Sequence, residues 1–372
     1  RVEGQGGKDI QLTVDSRLQN YALARMDGQS ASAVVIDVKT GDILACGSAP
    51  SFDPNLFVRG ISVADYNALR DDNFGPLRAK AVQGTYAPAS TFKMIVALAA
   101  LEAGVVNTKE KIRCSGHVDV SNNRFHCWKS YGHGRMDLKQ SLMQSCDVYY
   151  YEIAQRVGIE RIAAMARKFG LGVRHDLPLS AIRRGIVPDR DWKQQVRNEN
   201  WLIGDTVNAS IGQGYVLSSP LQLAVMAARL ATGRSVTPRI VRRIKGAEQP
   251  TGAGDVLDVS PRHLAAVQDA MYGVSNLRKG TAFGKRLVDE TMLIAGKTGT
   301  SQVRRITAAE RAAGVTKNED LPWNRRDHAL FVNYAPYDDP KIAVSVVVEH
   351  GGGGSSTAAP IARDITAFAL NG

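Results

Sequence analysis

The run Met94-Ile95-Val96-Ala97-Leu98-Ala99-Ala100-Leu101 constrains this chain more than any other stretch. It is apolar on every face, and a helix of that kind has to be enclosed by other elements. Directly before it stands Ser90-Thr91-Phe92-Lys93. Residues three apart lie on one face of a helix, so Ser90 and Lys93 are neighbours. The enclosed helix draws Lys93 into a poorly solvated place beside a hydroxyl, where desolvation disfavours the ammonium. A lysine of that kind can take a proton from a serine and make it a nucleophile. An ordinary helix start, with Ser90 as N-cap and Lys93 in solvent, would show the same four residues. The pair therefore needs support from the rest of the chain.

A length of 372 residues corresponds to roughly two or three domains, and 44% hydrophobic residues are ample for a large core. No segment approaches the ~18 consecutive apolar residues of a membrane span. Two strands are expected at 33–38 and 42–46, joined as a hairpin through Lys39-Thr40-Gly41. Residues 8–28 open extended and continue as a helix, and 50–89 read as irregular. A mainly helical stretch is expected over roughly 90–275, with helices at 90–104, 137–157, 159–170, 219–232 and 261–274. Strands return at 291–303, 329–335 and 341–349. Glycines 351–354 then form a turn into a last helix near 358–370. Residues 304–327 are long, charged and without periodicity, and read as a mobile loop. The two β portions are most simply one antiparallel sheet of about five strands, flanked by helices, with the helical stretch as an inserted subdomain. The expected class is thus mixed α/β (α+β).

The net charge of +11 suits an anionic partner. The basic pairs Arg183-Arg184, Arg242-Arg243, Arg304-Arg305 and Arg325-Arg326 are scattered, however, with no nucleic-acid motif around them. A solvated basic surface is the better reading, and no nucleic-acid partner is expected.

Two further segments support the serine–lysine pair. One is Ser145-Cys146-Asp147; the other is Lys297-Thr298-Gly299-Thr300, after the apolar Met292-Leu293-Ile294-Ala295. Singly they read as a helix cap and a strand end. In this order, S-x-x-K, S-x-N or S-x-D, and K-T-G are the motif set of penicillin-recognising serine acyltransferases. Tyr86 to Lys93, Ser210-Ile211-Gly212-Gln213-Gly214-Tyr215, Ser219 to Ala224 and Ala295 to Gln302 extend the match. On these residues the chain resembles the class B penicillin-binding proteins over essentially its whole length. The opening Asp9-Ile10-Gln11-Leu12-Thr13 and the aspartate of the middle motif are most similar to their elongation-type branch, penicillin-binding protein 2. Ala87 and Ala89 depart from the Pro and Gly more frequent there, and Asp147 from the commoner Asn.

The resemblance implies a fold shared with serine β-lactamases and a transpeptidase domain over 1–372. It also implies an N-terminal membrane anchor and pedestal outside this sequence, and a location at the periplasmic face of the inner membrane. The expected reaction is acyl transfer from a D-Ala-D-Ala stem peptide through an ester on Ser90. Lys93 would be the general base. Ser145 would pass a proton to the leaving amine, and Asp147 would keep the lysines charged and placed. Lys297 would supply positive potential for the substrate carboxylate, with Thr298 and Thr300 as its binding hydroxyls. Gly299 would let substrate backbone approach the strand. The N–H groups of Ser90 and Thr300 would form an oxyanion hole, a feature worth about 3–4 kcal/mol per donor in other acyl-transfer enzymes. Expected partners are peptidoglycan stem peptides, β-lactams, a membrane glycosyltransferase and scaffold proteins of the elongation complex that maintains cell shape. No organic cofactor is expected.

The cysteines suggest a metal. Cys114, Cys127, His133 and Cys146 form C-x12-C-x5-H-x12-C, a donor set suited to a closed structural zinc site. If Ser145 and Asp147 face the substrate, Cys146 faces backwards and could brace that wall. A Cys114–Cys127 disulfide and Cys146 as simple packing are the competing readings, and His117, His126 and Asp119 are rival ligands. Cys46 and Tyr149-Tyr150-Tyr151 read as core packing. Two other functions share the motifs. A β-lactamase or D,D-carboxypeptidase would use water in place of an acceptor amine, and no second carboxylate motif is placed to activate water. A non-catalytic β-lactam sensor would be labelled by penicillin without turnover.

Overall fold

The computed structural model describes residues 6–372. Its centre is one five-stranded antiparallel sheet in the order Ala295–Ser301, His328–Ala335, Ile342–Val348, Ala31–Asp37, Ile43–Ala49. Chain-distant segments therefore share one sheet, as the strand pattern implied. Side chains alternate across the sheet because a strand has a period of two. Ala31, Ala33 and Val35 pack with Leu18 and Ala22 of the helix Ser16–Arg25 and with Ile361, Ala362 and Ile365 of the last helix, Ala359–Asn371. Val34 and Ile36, one residue out of step, join the helical block on the opposite face.

The apolar run lies in the helix Lys93–Glu102, where Met94 to Leu101 are all buried. Helices Asp147–Val157, Ile159–Lys168 and Pro261–Asn276 surround it. Ile95 and Leu98 have no exposed surface, and truncating either to Ala costs about 2–5 kcal/mol. The helix Pro220–Thr232 lies on the sheet against Ile342–Val348 and Ala31–Asp37. It begins on a capping box between Ser219 and Gln222, with Pro220 at its first position. Tyr149, Tyr150 and Tyr151 are core, as expected.

Four expectations change. The helix read at 137–157 is two, Leu138–Met143 and Asp147–Val157. Ser145 takes a left-handed φ of 55°, which a continuing right-handed helix forbids. Residues 50–89 are not wholly irregular, for they carry short helices at Asn55–Val58, Val63–Asp71 and Lys80–Gln83. The 90–275 block also holds small β pairs. Ile112–Cys114 pairs with Gly134–Met136, His117–Val120 with Asn123–His126, and Val241–Ile244 with both Ile10–Leu12 and Ala247–Glu248. Between 304 and 327 there is a helix, Ala308–Ala313, and two single 3-10 turns.

Candidate active site

Ser90 lies in a 3-10 turn, Ala89–Phe92, that runs straight into the helix Lys93–Glu102. Ala89 has φ of 51°, a conformation costing a non-glycine residue about 1–2 kcal/mol. The Ala89 N–H donates to Gly212 O at 2.9 Å, so the Ser210–Gly214 segment braces the turn. The Thr91 hydroxyl donates to Pro88 O at 2.6 Å and tightens it further.

Lys93 has no exposed surface. Its Nζ donates to Asp147 Oδ1 at 2.6 Å, Ser145 O at 3.0 Å and Ser145 Oγ at 3.3 Å. Taking an ammonium out of water costs several kcal/mol, and these three oxygens offset that cost. Lys93 is thus a paired lysine and not a bare desolvated amine. Asp147 opens the helix Asp147–Val157, where the dipole favours a carboxylate. Its other oxygen accepts the Trp128 N–H at 2.8 Å. Burial pushes the Asp147 carboxyl up, against the downward pull of Lys93.

Lys297 comes from the strand Ala295–Ser301 and is also fully buried. Its Nζ donates to Thr298 O at 3.0 Å. Burial, and then the charge of Lys93, hold its ammonium well below the usual lysine range, while Asp147 pulls the other way. Thr300 is the exposed residue of this strand. Gln213 Nε2 donates to its carbonyl at 3.4 Å and the Gly354 N–H to its hydroxyl at 3.3 Å. The expected role of Gly299 changes. A Cβ there would lie 3.2 Å from Pro88 O, Thr91 Cγ2 and Leu330 Cβ. The space a side chain would take is already filled by the protein, so glycine lets the strand close onto the serine turn.

Two residues outside the sequence motifs reach the site. Trp128 Nε1 donates to Ser145 O at 3.0 Å, and Thr281 Oγ1 lies 2.7 Å from Thr298 Oγ1. Trp128 follows the metal-type donor Cys127 and Thr281 stands in no motif, and only the fold brings either to the lysine site.

Behind Ser145 the donor atoms of Cys114, Cys127, His133 and Cys146 all lie within 4.8 Å of one another. His133 Nδ1 is 3.6 Å from Cys114 Sγ and 3.5 Å from Cys127 Sγ. Zinc bonds of about 2.3 Å to sulfur and 2.1 Å to nitrogen give a tetrahedral S–N edge of about 3.6 Å, so the four residues fit that ion. Hydrogen bonding to Cys146 lowers the Cys114 thiol to about 6 and pulls Cys127 strongly down as well. Burial alone would lower His133, but its contacts with Cys127 and Cys114 raise it. All four cysteines are free, so the alternative Cys114–Cys127 disulfide is absent. The rival ligands are engaged elsewhere. Asp119 pairs with Arg124 at 2.7 Å, and His117 faces His126 across their own hairpin. Cys46 stands apart on the sheet, its thiol pushed up to about 12 by burial. Asp147 N–H donates to Cys127 Sγ at 3.4 Å, so the thiol cluster and the Lys93 site share a wall.

Comparison with known proteins bears on the family and the fold. Residues 31–367 match the family model "Penicillin binding protein transpeptidase domain". The peptidoglycan D,D-transpeptidase MrdA of Haemophilus influenzae is 38% identical over 373 residues, covering 98% of this chain and 56% of that protein. MrdA of Escherichia coli K12 is 38% identical over 366 residues, covering 95% of this chain and 56% of that protein. The chain thus spans little more than half the length of these curated relatives. Among solved structures, Pseudomonas aeruginosa PBP2 in complex with WCK 5153 superposes with a TM-score of 0.88 at 37% identity, covering 98% of this chain and 79% of that one. Helicobacter pylori PBP2 in complex with MreC gives 0.87 at 31%, covering 97% and 64%. Matched along nearly its whole length, with the motif residues gathered around one buried lysine, this chain belongs to the penicillin-binding protein transpeptidase domain family.

Proposed function

We propose that this chain is the transpeptidase domain of an elongation-type D,D-transpeptidase that cross-links peptidoglycan and is acylated by β-lactams. The observation that carries this reading is the buried Lys93, held at once by Ser145 and Asp147 one helical turn from Ser90. Ser90 Oγ attacks the carbonyl of the penultimate D-Ala of the donor stem peptide. Lys93 takes the Ser90 proton as general base, and Asp147 stabilises the ammonium that results. Ser145 hands its proton to the departing amine and takes up the one that Lys93 carries, the terminal D-Ala leaves, and an ester remains on Ser90. An amine of a neighbouring stem peptide then attacks that ester, and Ser90 recovers its proton. Lys297, Thr298 and Thr300 hold the donor carboxylate, and the N–H groups of Ser90 and Thr300 receive the oxyanion.

Cys114, Cys127, His133 and Cys146 hold a structural zinc that ties the Cys127–Trp128 loop to the Ser145–Asp147 wall. In the whole protein an N-terminal anchor and pedestal place the domain at the periplasmic face of the inner membrane. Partners follow from the relatives: PBP2 of H. pylori has been solved with MreC, and another relative belongs to a peptidoglycan synthase complex that coordinates polymerisation and cross-linking. A scaffold protein and a membrane glycosyltransferase are therefore the expected assembly.

The test is intact-mass analysis after benzylpenicillin treatment of the parent and of Ser90→Ala. The expected result is a long-lived adduct on the parent alone. Rapid release of the adduct would favour the β-lactamase reading. A labelled protein that never turns over a thioester donor would favour a sensor.

A further inference from the structure

We propose that Thr281 is a positioning residue that aims the Thr298 hydroxyl at the substrate carboxylate; this rests on the transpeptidase reading of the site. Thr298 Oγ1 has two neighbours, Thr281 Oγ1 at 2.7 Å and Lys297 Nζ at 3.5 Å. A hydroxyl carries one proton and two lone pairs. When Thr281 donates and Lys297 donates, both lone pairs of Thr298 are occupied. The remaining Thr298 proton then has to point to an acceptor from outside, and a carboxylate supplies one.

Thr281 is itself held from three directions. Its N–H donates to Met143 O at 3.2 Å, two residues before Ser145. Its carbonyl accepts from Ser355 Oγ at 2.5 Å, in the helical turn Gly354–Ala358 that leads into the last helix. The next residue, Ala282, donates to Val274 O at 3.0 Å on the helix Pro261–Asn276. Gly280 permits this seating, since a Cβ there would lie 2.2 Å from Val274 O. One residue thereby joins the wall that carries Ser145, through its backbone N–H, to the strand that carries Thr298, through its hydroxyl. It acts through Thr298 and touches no reacting atom.

The experiment compares the rate of Ser90 acylation by benzylpenicillin with that by its methyl ester, which lacks the free carboxylate. Thr281→Val keeps the shape and removes the hydroxyl. It is expected to slow the acid about tenfold, the scale of one lost hydrogen bond, and to leave the ester nearly unchanged. Thr281→Ser is expected to restore the parent ratio of acid to ester. Equal slowing of acid and ester, or no slowing of either, overturns the proposal. Should Thr281→Val fail to fold, Ser355→Ala, which frees the Thr281 carbonyl, is read by the same ratio. Ser90→Ala is a separate control: adduct formation there would sink the acyl-enzyme reading, while the acid-to-ester ratio would still decide the role of Thr281.

Discussion

Replacing Asp147 by Asn tests whether one ion pair holds the floor of the site. The Lys93 and Asp147 charges are 2.6 Å apart, and the lysine side chain is fully enclosed. At an effective dielectric near 20 their attraction is about 6 kcal/mol. Desolvation cancels part of this, and removing one partner of a buried pair generally costs about 3–5 kcal/mol. Two features place Asp147→Asn at the lower end. The ammonium keeps Ser145 O and Oγ at 3.0 and 3.3 Å, and the Asn oxygen can still accept the Trp128 N–H. Urea unfolding at pH 7 should therefore show a loss of about 3 kcal/mol. Lys93→Met should cost a similar amount, and the double variant clearly less than the sum, with a coupling of about 3 kcal/mol. Acylation by a fluorescent penicillin should fall in Asp147→Asn as well, since Lys93 Nζ loses the carboxylate that fixes its position and is left to the Ser145 oxygens alone. A coupling below about 1 kcal/mol, the level of an exposed pair, would refute the argument that this pair secures Lys93.

Three other outcomes are expected. Purified protein should carry stoichiometric zinc by elemental analysis, and Cys114→Ser should lose it and melt earlier; a zinc-free parent with an unchanged variant would remove the metal site. Stability should fall on acidification through His175, whose imidazole is held down to about 4 by burial and then by Arg229. Its folded value lies below the ordinary 6.5, so between the two the unfolded chain binds more protons. The His175 contribution is complete above pH 6.5 and is lost toward pH 4, by about 2–3 kcal/mol between pH 7 and 4.5. Urea melts of the parent and His175→Gln at both pH values check this, and equal pH dependence in the two would count against it. Gly299→Ala should cost about 1–3 kcal/mol through overpacking and slow Ser90 acylation, because the strand must back away from Pro88 and Thr91; full acylation at the parent rate would show that the contact yields freely.

Much of the architecture is legible along the chain because its signals are local. Several sheet strands show as short apolar runs, and Ser219-x-x-Gln222 with Pro220 marks a helix start without reference to any neighbour. The break at Ser145 is not legible. Its left-handed backbone conflicts with an otherwise helical pattern, and it is set where the chain bends to present one residue to Lys93 and the next to a thiol cluster. The β pairs between 112 and 136 escape for another reason: strands of three or four residues are too short to show a period.

The candidate site divides in the same way. Ser90, Lys93, Ser145, Asp147, Lys297 and the four metal-type donors are recognisable by residue type and order, since their chemistry belongs to the side chains themselves. Which groups satisfy the buried lysine is not. Lys93 meets a carboxylate 54 residues away, because an enclosed ammonium needs an anionic or carbonyl oxygen within hydrogen-bond reach and only the packed helices place one there. Trp128, Thr281 and the crowding around Gly299 are likewise properties of the assembled walls. The sequence alone determined which reactive groups this protein has and that the Lys93 helix is buried. The tertiary structure decided their partners, because hydrogen bonds and desolvation depend on distances that no linear spacing specifies.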